Sequence, residues 1–278
     1  MNAFQRFSDR MVAHDDLIIV NDLGSKMHDQ ASPHGRLFEI LGHKNGRRVV
    51  REIACNTVVV GGAIAALENL TGATPTWRPA TLNTIHGVTA TPASTPQLKL
   101  FGVGTGGANL DFGSVIDPNI KQRDVLQPVP FRYAEIISGD DASKYFMKVP
   151  NNDGTYSWYL KEFTSNPVIK SCWKNAASAD EDGTEILEEI YDSSETYGIE
   201  TFTEIQIDLN TSDVREYFQA TGSMATARYN TFGFYTGAKN AAGTEYGDVR
   251  LYSAVSFNNR DLTVKTKSSY LYRIYSLI

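Results

Sequence analysis

The sequence predicts a mainly β protein: an antiparallel, sandwich-like body with an N-terminal arm of helix and hairpin, and few short helices. Three observations predict it. Aromatic residues make up 11% of the chain, mostly 14 Tyr and 13 Phe, beside 22 glycines. Rings pack well on pleated surfaces and glycine supplies tight turns. Short apolar runs recur at roughly regular spacing after residue 97, divided by Gly, Asn, Asp and Pro clusters, the pattern of a sandwich. Several of these runs alternate apolar with polar residues, so one face is expected to be buried and one wet.

Taken in order, residues 1–30 can form a helix with Phe4, Phe7, Met11 and His14 on one stripe. Leu17 to Val20 reads as a short strand. Leu37 to Leu41 and Arg47 to Ile53 read as strands around His43-Lys44-Asn45-Gly46. Asn-Gly between extended runs signals a hairpin, because both residues tolerate the positive φ of a tight turn. Val58-Val59-Val60 leads through Gly61-Gly62 into a short apolar helix, Ala63 to Leu70, which Gly72 can end. Residues 1–72 are therefore read as an N-terminal arm.

Residues 73–97, rich in Thr, Pro and Ala, are read as an extended linker. Residues 98–278 are read as the body. Its clearest strands are Leu98–Phe101, Phe131–Ile136, Tyr145–Val149, Tyr156–Leu160, Glu200–Ile207, Tyr229–Tyr235, Val249–Phe257, Leu262–Thr266 and Tyr270–Tyr275. Val249, Leu251, Val255 and Phe257 are expected to share one face. One helix interrupts the strands, with Asp213 as its cap, Glu216 completing the capping box and Gly222 past its end.

Charge and motifs narrow the function. A net charge of -6 weighs against nucleic acid as the main partner. No run reaches the roughly 20 apolar residues of a membrane-spanning helix. Met1 to Arg10 lacks the apolar core of a signal peptide, so the chain is expected to mature in the cytoplasm. Cys55 and Cys172 are too few for a disulfide framework or a thiolate zinc site and read as small buried hydrophobes. Between Asp180 and Glu200 stand nine acidic residues and no basic one, whereas Arg250 to Arg273 is net positive. Complementary stretches of this kind suit contacts between copies of one chain.

No catalytic, cofactor or metal site is predicted. Gly102-Val103-Gly104-Thr105-Gly106-Gly107 has the glycine spacing of a dinucleotide loop, but Ala108 to Gly113 is poor helix material. The motif needs a helix there to hold a pyrophosphate. It reads instead as a tight glycine loop. Ser178 to Glu189 imitates a calcium loop with Ser where the first Asp should stand. The five histidines, at 14, 28, 34, 43 and 86, show no metal-ligand spacing, and no G-x-S-x-G elbow exists for a hydrolase triad. Lys44, Arg47, Arg48 and Arg51 cluster on the hairpin without aromatic partners and read as a solvated face.

Three segments together resemble structural proteins of tailed-bacteriophage virions. One is the hairpin running into Asn56-Thr57-Val58-Val59-Val60-Gly61-Gly62 and its helix. A second is Phe101 to Gly107, followed by Leu126-Gln127-Pro128-Val129-Pro130-Phe131-Arg132. The third runs from Thr231-Phe232-Gly233-Phe234-Tyr235 through Arg250 to Phe257 and ends at Tyr272-Arg273-Ile274-Tyr275. The resemblance implies a non-enzymatic subunit of the tail, baseplate or neck. It would form a symmetric homo-oligomer, have other virion proteins as partners, and carry no cofactor. The rival expectation is a carbohydrate- or receptor-binding sandwich that uses Trp77, Trp158, Trp173 or the C-terminal tyrosines to stack on sugar rings.

Overall fold

The computed structural model describes residues 34–44, 47–109, 114–134, 137, 139–173, 184–186, 199–224, 227–262 and 267–275. The helix expected over 1–30, the strand at Leu17–Val20, the turn at Asn45-Gly46, residues 178–183 and 187–189 of the calcium-like loop, and the strand expected at 263–266 lie outside them. No helix among the described residues is long and apolar enough to cross a membrane.

The architecture is mainly β, with two antiparallel sheets packed face to face. Strands β1 (His34–Lys44), β2 (Arg47–Cys55), β9 (Val168–Trp173), β10 (Thr184–Ile186), β11 (Ile199–Asn210) and β14 (Lys267–Tyr275) form one sheet, in the order β10-β2-β1-β14-β11-β9. The second sheet runs β3 (Thr57–Val58), β13 (Tyr246–Asp261), β12 (Arg228–Lys239), β4 (Gln97–Gly104), β8 (Tyr156–Glu162) and β6 (Arg132–Tyr133). Short β5 (Pro128–Val129) pairs with β4, and β7 (Tyr145–Pro150) pairs with β8. The helices are α1 (Val60–Thr71), α2 (Leu82–His86) and α3 (Thr211–Ala220).

The hairpin assigned from sequence to an arm is built into the body. β1 pairs with β14 from His34↔Tyr275 to Glu39↔Tyr270, so strands far apart in the sequence form the central pair of the six-stranded sheet. The cause is burial: Leu37 and Phe38 are almost fully buried against core that the C-terminal strands supply. Between the sheets, Phe234 stacks on Tyr272 with ring centroids 3.8 Å apart and planes 8° from parallel. Phe101, Phe131, Phe232 and Phe257 belong to the same core cluster. Aromatic pairs of this kind add roughly 0.5–1.5 kcal/mol beyond the area they bury.

The eight-stranded sheet is buried on both faces. All residues of β12 from Tyr229 to Ala238 are buried. Phe232 and Phe234 face the six-stranded sheet, while Tyr235 joins a second core with Val59, Leu82, Leu100, Phe146, Val249 and Leu251. The expected single apolar face of β13 is therefore corrected: Val255 and Phe257 belong to the first core, Val249 and Leu251 to the second. A bulge causes the change of face. Phe234 pairs with Ser253 and Tyr235 with Leu251, leaving Tyr252 extra on β13. One inserted residue exchanges the two faces of a strand.

The segment read as a linker is also part of the body. Leu82 is 1% exposed, and Asn83 accepts a hydrogen bond from the Val249 backbone N–H and donates to the Tyr246 carbonyl. Composition alone resembled a linker because this segment buries only a few side chains and satisfies β13 largely through polar groups.

Two helix ends differ in their chemistry. α1 stops at Gly72, whose φ of 67° is left-handed as expected, with its N–H bonded to the Glu68 carbonyl. α3 begins earlier than expected, with Asn210 in the capping position and no side-chain cap. Asp213 lies inside its first turn and is buried. There its carboxylate accepts from the Tyr145 hydroxyl at 3.0 Å and pairs with Lys161 at 2.8 Å. Burial and the Asp213 charge raise the Tyr145 phenol to about 12. Glu216 pairs with Arg132 rather than closing a capping box.

α1 lies almost in contact with the β13 backbone. A Cβ on Gly62 would sit 2.0 Å from the Tyr252 carbonyl oxygen, closer than any real contact, and backbone cannot swing aside. Gly62→Ala should therefore shift the helix and lower the melting temperature by several degrees, for a cost of about 2 kcal/mol or more. Gly42→Ala, where nothing lies within 4 Å of the new methyl, should stay within about 0.5 kcal/mol. Thermal unfolding of the two variants side by side checks the contrast; equal melting temperatures would show that α1 does not depend on this approach.

Candidate functional site

Three features stand apart from simple core packing: the apolar layer over the second face of the eight-stranded sheet, the glycine loop beneath it, and a charge cluster on the six-stranded sheet. The layer is built from residues 59–96 and 114–127. The Val60 N–H donates to the Ile120 carbonyl, joining the start of α1 to the later segment. Arg250 donates to the Pro79 carbonyl and pairs with Asp248. On α2, Thr81 caps the N-terminus by accepting from the Thr84 N–H, and His86 Nε2 lies 3.2 Å from Asp124 Oδ2. The His86 ring stacks on Tyr159 at 5.7 Å. Asp124 also accepts from the Tyr235 hydroxyl, whose pKa burial and that carboxylate push far up. This array pins the layer to β12.

The outward side of the layer mixes large apolar side chains with polar ones. Eight of the twelve large hydrophobic side chains exposed among the described residues lie in it, including Leu67, Leu70, Trp77, Ile85 and Ile120. α1 carries one charge in twelve residues, Glu68, which pairs with Arg78. A helix apolar on every side is normally buried. In α1 only Gly61 and Gly62 are buried, while Leu67 is 60% and Leu70 82% exposed.

The glycine loop is closed to a phosphate. The Gly107 N–H donates to Asn230 Oδ1 at 2.7 Å, and Asn230 Nδ2 returns to the Thr105 carbonyl at 2.9 Å. The Thr105 and Gly106 N–H groups donate to the Gln127 and Leu126 carbonyls. β4 runs straight into the loop, and no helix directly follows it among the described residues. The amides that would cradle an anion are thus bonded within the protein, and a Cβ on Gly107 would meet Thr231 Oγ1 at 2.0 Å. The tight-loop expectation describes what these glycines do.

On the six-stranded sheet, Glu204 of β11 faces Arg273 of β14 as a register pair. Arg273 reaches Glu204 Oε2 through Nε at 3.0 Å and Nη2 at 2.7 Å. Arg48 of β2 and Lys170 of β9 bond Oε1 at 2.7 and 3.0 Å. The Arg273 guanidinium lies 4.1 Å from the Phe202 ring centroid. Burial pushes the Glu204 carboxyl up, but Arg273, Lys170 and Arg48 outweigh it and hold the group below its ordinary value. The basic hairpin residues are thus not one solvated face: Arg48 turns to Glu204, Arg51 is exposed, and the side chains of Lys44 and Arg47 lie outside the description.

Other residues singled out from sequence are dispersed. Cys55 is exposed rather than buried, because it falls near the outer end of β2; the Cys172 side chain lies outside the description. His43 is exposed on β1 and His86 sits 3.2 Å from Asp124, while His14 and His28 lie outside the described residues. No group of three or more His, Cys, Asp or Glu able to hold a metal occurs among the described residues. Trp158, Tyr270, Tyr272 and Tyr275 are buried, which leaves Trp77, 59% exposed, as the accessible aromatic of those proposed to stack on sugars; the Trp173 side chain is not described. Sequence reasoning missed Leu67 and Leu70 as surface residues, although an apolar helix with a single charge was a readable signal. No protein family, curated protein or solved structure matches the chain.

The Glu204 cluster yields a prediction about stability and pH. Glu204→Ala leaves Arg273, 5% exposed, without its carboxylate, at a cost of about 3–5 kcal/mol near neutral pH. Because the folded carboxyl titrates below its ordinary value near 4.5, its contribution is complete above that value and is lost as pH falls through the lower, folded one. Urea unfolding from pH 7 down to pH 3 should show the gap between wild type and variant narrowing with acid. A gap of constant size would assign the loss to packing instead.

Proposed function

We propose that the protein is a non-enzymatic structural subunit of a tailed-phage virion, made in the host cytoplasm, that assembles with copies of itself and with other virion proteins at the tail, baseplate or neck. One observation carries the assembly part: α1 has a single charge, exposes Leu67 and Leu70, and buries only Gly61 and Gly62 among the described residues. Soluble monomers rarely leave such a surface to water, and exposed apolar patches mark contact sites. A helix offering Ala63, Ala66, Leu67 and Leu70 at spacings of three and four presents one stripe to a neighbour. The body behind it is stiff, since the eight-stranded sheet is packed on both faces. The virion part rests on the sequence resemblance.

Light scattering behind size-exclusion chromatography, followed by negative-stain imaging, tests it. Wild type is expected to form rings or other defined multimers. Leu67→Glu with Leu70→Glu should give a smaller species with an unchanged circular dichroism spectrum, because both side chains already face solvent. A wild-type chain monomeric at every concentration, or a double variant of unchanged mass, overturns the reading.

A further inference from the structure

An unpaired sheet edge is a template for pairing, and folded proteins blunt such edges with short strands, charges or covering segments. Most edges here are blunted. In the eight-stranded sheet, β3, β5 and β6 are two residues long. β13 is held by the layer: the Val59 N–H donates to the Tyr252 carbonyl, and Asn83 bonds both the Val249 N–H and the Tyr246 carbonyl. At the far side of that sheet, Glu245 accepts from the Met147 and Lys148 N–H groups of β7 at 3.0 and 3.4 Å. In the six-stranded sheet, β10 has three residues.

β9 differs. Its six residues, Val168-Ile169-Lys170-Ser171-Cys172-Trp173, pair with β11 on one side and with no strand on the other among the described residues. Val168 is 50% and Ile169 76% exposed. Pro167 stands before the strand and removes no N–H from it. Lys170, the single charge of β9, does not guard the edge, because its Nζ lies 3.0 Å from Glu204 Oε1 on the face of its own sheet. An extended edge of this kind, apolar and without a guarding charge, is what an added strand requires.

The sequence of β9 is complementary to itself. Two identical strands pair antiparallel about a two-fold axis perpendicular to the sheet, so one residue position lies on the axis and equivalent faces stay on the same side. Two such registers pair five of the six residues. The one centred on Lys170 sets two like charges directly opposite, which destabilises a sheet. The one centred on Ser171 sets Lys170 opposite Cys172 and, on both sides of the axis, Ile169 opposite Trp173. A β-branched residue facing an aromatic one is a favourable cross-strand pair. Charge and side-chain type therefore select the second register.

We propose that β9 pairs antiparallel with β9 of a second copy in the register centred on Ser171, joining two six-stranded sheets into one continuous sheet. The contact is separate from the apolar layer and does not depend on the part given to that layer above. The paired strands alone are small beside the roughly 1,200–2,000 Å² of a stable interface. The dimer should therefore exchange and depend on concentration.

Disulfide trapping on the full chain tests both the contact and its register. Ser171→Cys, in a chain that also carries Cys55→Ser and Cys172→Ser, should give a covalent dimer under mild oxidation, because opposed positions bring their Cβ atoms to about 4.5–5.5 Å. Val168→Cys in the same background should not, since the two copies of that position lie roughly 20 Å apart along the strands in this register. Ile169→Lys should suppress the trapping and raise the dimer Kd, read by sedimentation, roughly tenfold. Its circular dichroism should be unchanged, because the side chain already faces solvent. Equal trapping of the two thiols, no trapping of Ser171→Cys at any concentration, or trapping unchanged by Ile169→Lys overturns the proposal. Multimers that shrink with Leu67→Glu and Leu70→Glu but give no trapping would remove the β9 contact and leave the assembly reading standing. Trapping at position 171 in a chain whose mass ignores those two substitutions would do the reverse.

Discussion

Strand β12 is buried along ten consecutive residues, and that constraint organises the rest of the molecule. A strand in an antiparallel sheet usually needs cover on one face only. Here Phe232 and Phe234 require the six-stranded sheet on one side, and Tyr235 requires a second cover on the other. The chain meets the second demand with residues 59–96 and 114–127. That layer is thin, with two short helices and little regular structure between them. Its own outer surface packs against nothing further among the described residues.

Thinness explains where the glycines are needed. A layer of single-helix depth can seal a sheet only if its backbone comes down onto the strand. Gly62 over the Tyr252 carbonyl, Gly104 against the Leu126 carbonyl and Gly247 against the Ala90 carbonyl are among the places where a Cβ would come within 3.0 Å of the facing backbone. Asn230 then performs the task a ligand would in a dinucleotide loop, bonding the Gly107 amide from inside. Glycine spacing alone carries no chemistry. What decides is whether the freed amides face solvent or a neighbouring side chain, and here a buried asparagine takes one of them.

This also marks what could be read from the sequence. Strands were legible from their own residues: Tyr145–Val149, Tyr156–Leu160 and Tyr229–Tyr235 each fall inside an observed strand, and Gly72 ends α1 as its φ demands. Those signals are local. Two kinds of fact were not local. The bulge at Tyr252 is set by pairing with β12, and no residue type announces it, so the alternation rule placed Val255 and Leu251 on one face. The role of residues 73–97 depends on Asn83 meeting the Val249 amide from 166 positions away, whereas their composition registers only prolines and threonines.

The apolar side chains of the layer and the charged ones beside them differ in the kind of contact each can make. Apolar area around Leu67 and Leu70 supplies non-directional free energy, about 25 cal/mol for each Å² removed from water. By itself it would hold a neighbour without fixing its angle. Charged side chains beside them, such as Arg78 paired with Glu68, do the opposite: such charges contribute little net affinity in water but penalise a neighbour out of register. The assembly we propose draws on both terms, because a ring or sleeve closes only when every contact repeats the same rotation. The rigidity of the doubly covered sheet then matters as much as either surface, since a fixed angle between two contact sites is preserved only if the body between them does not bend.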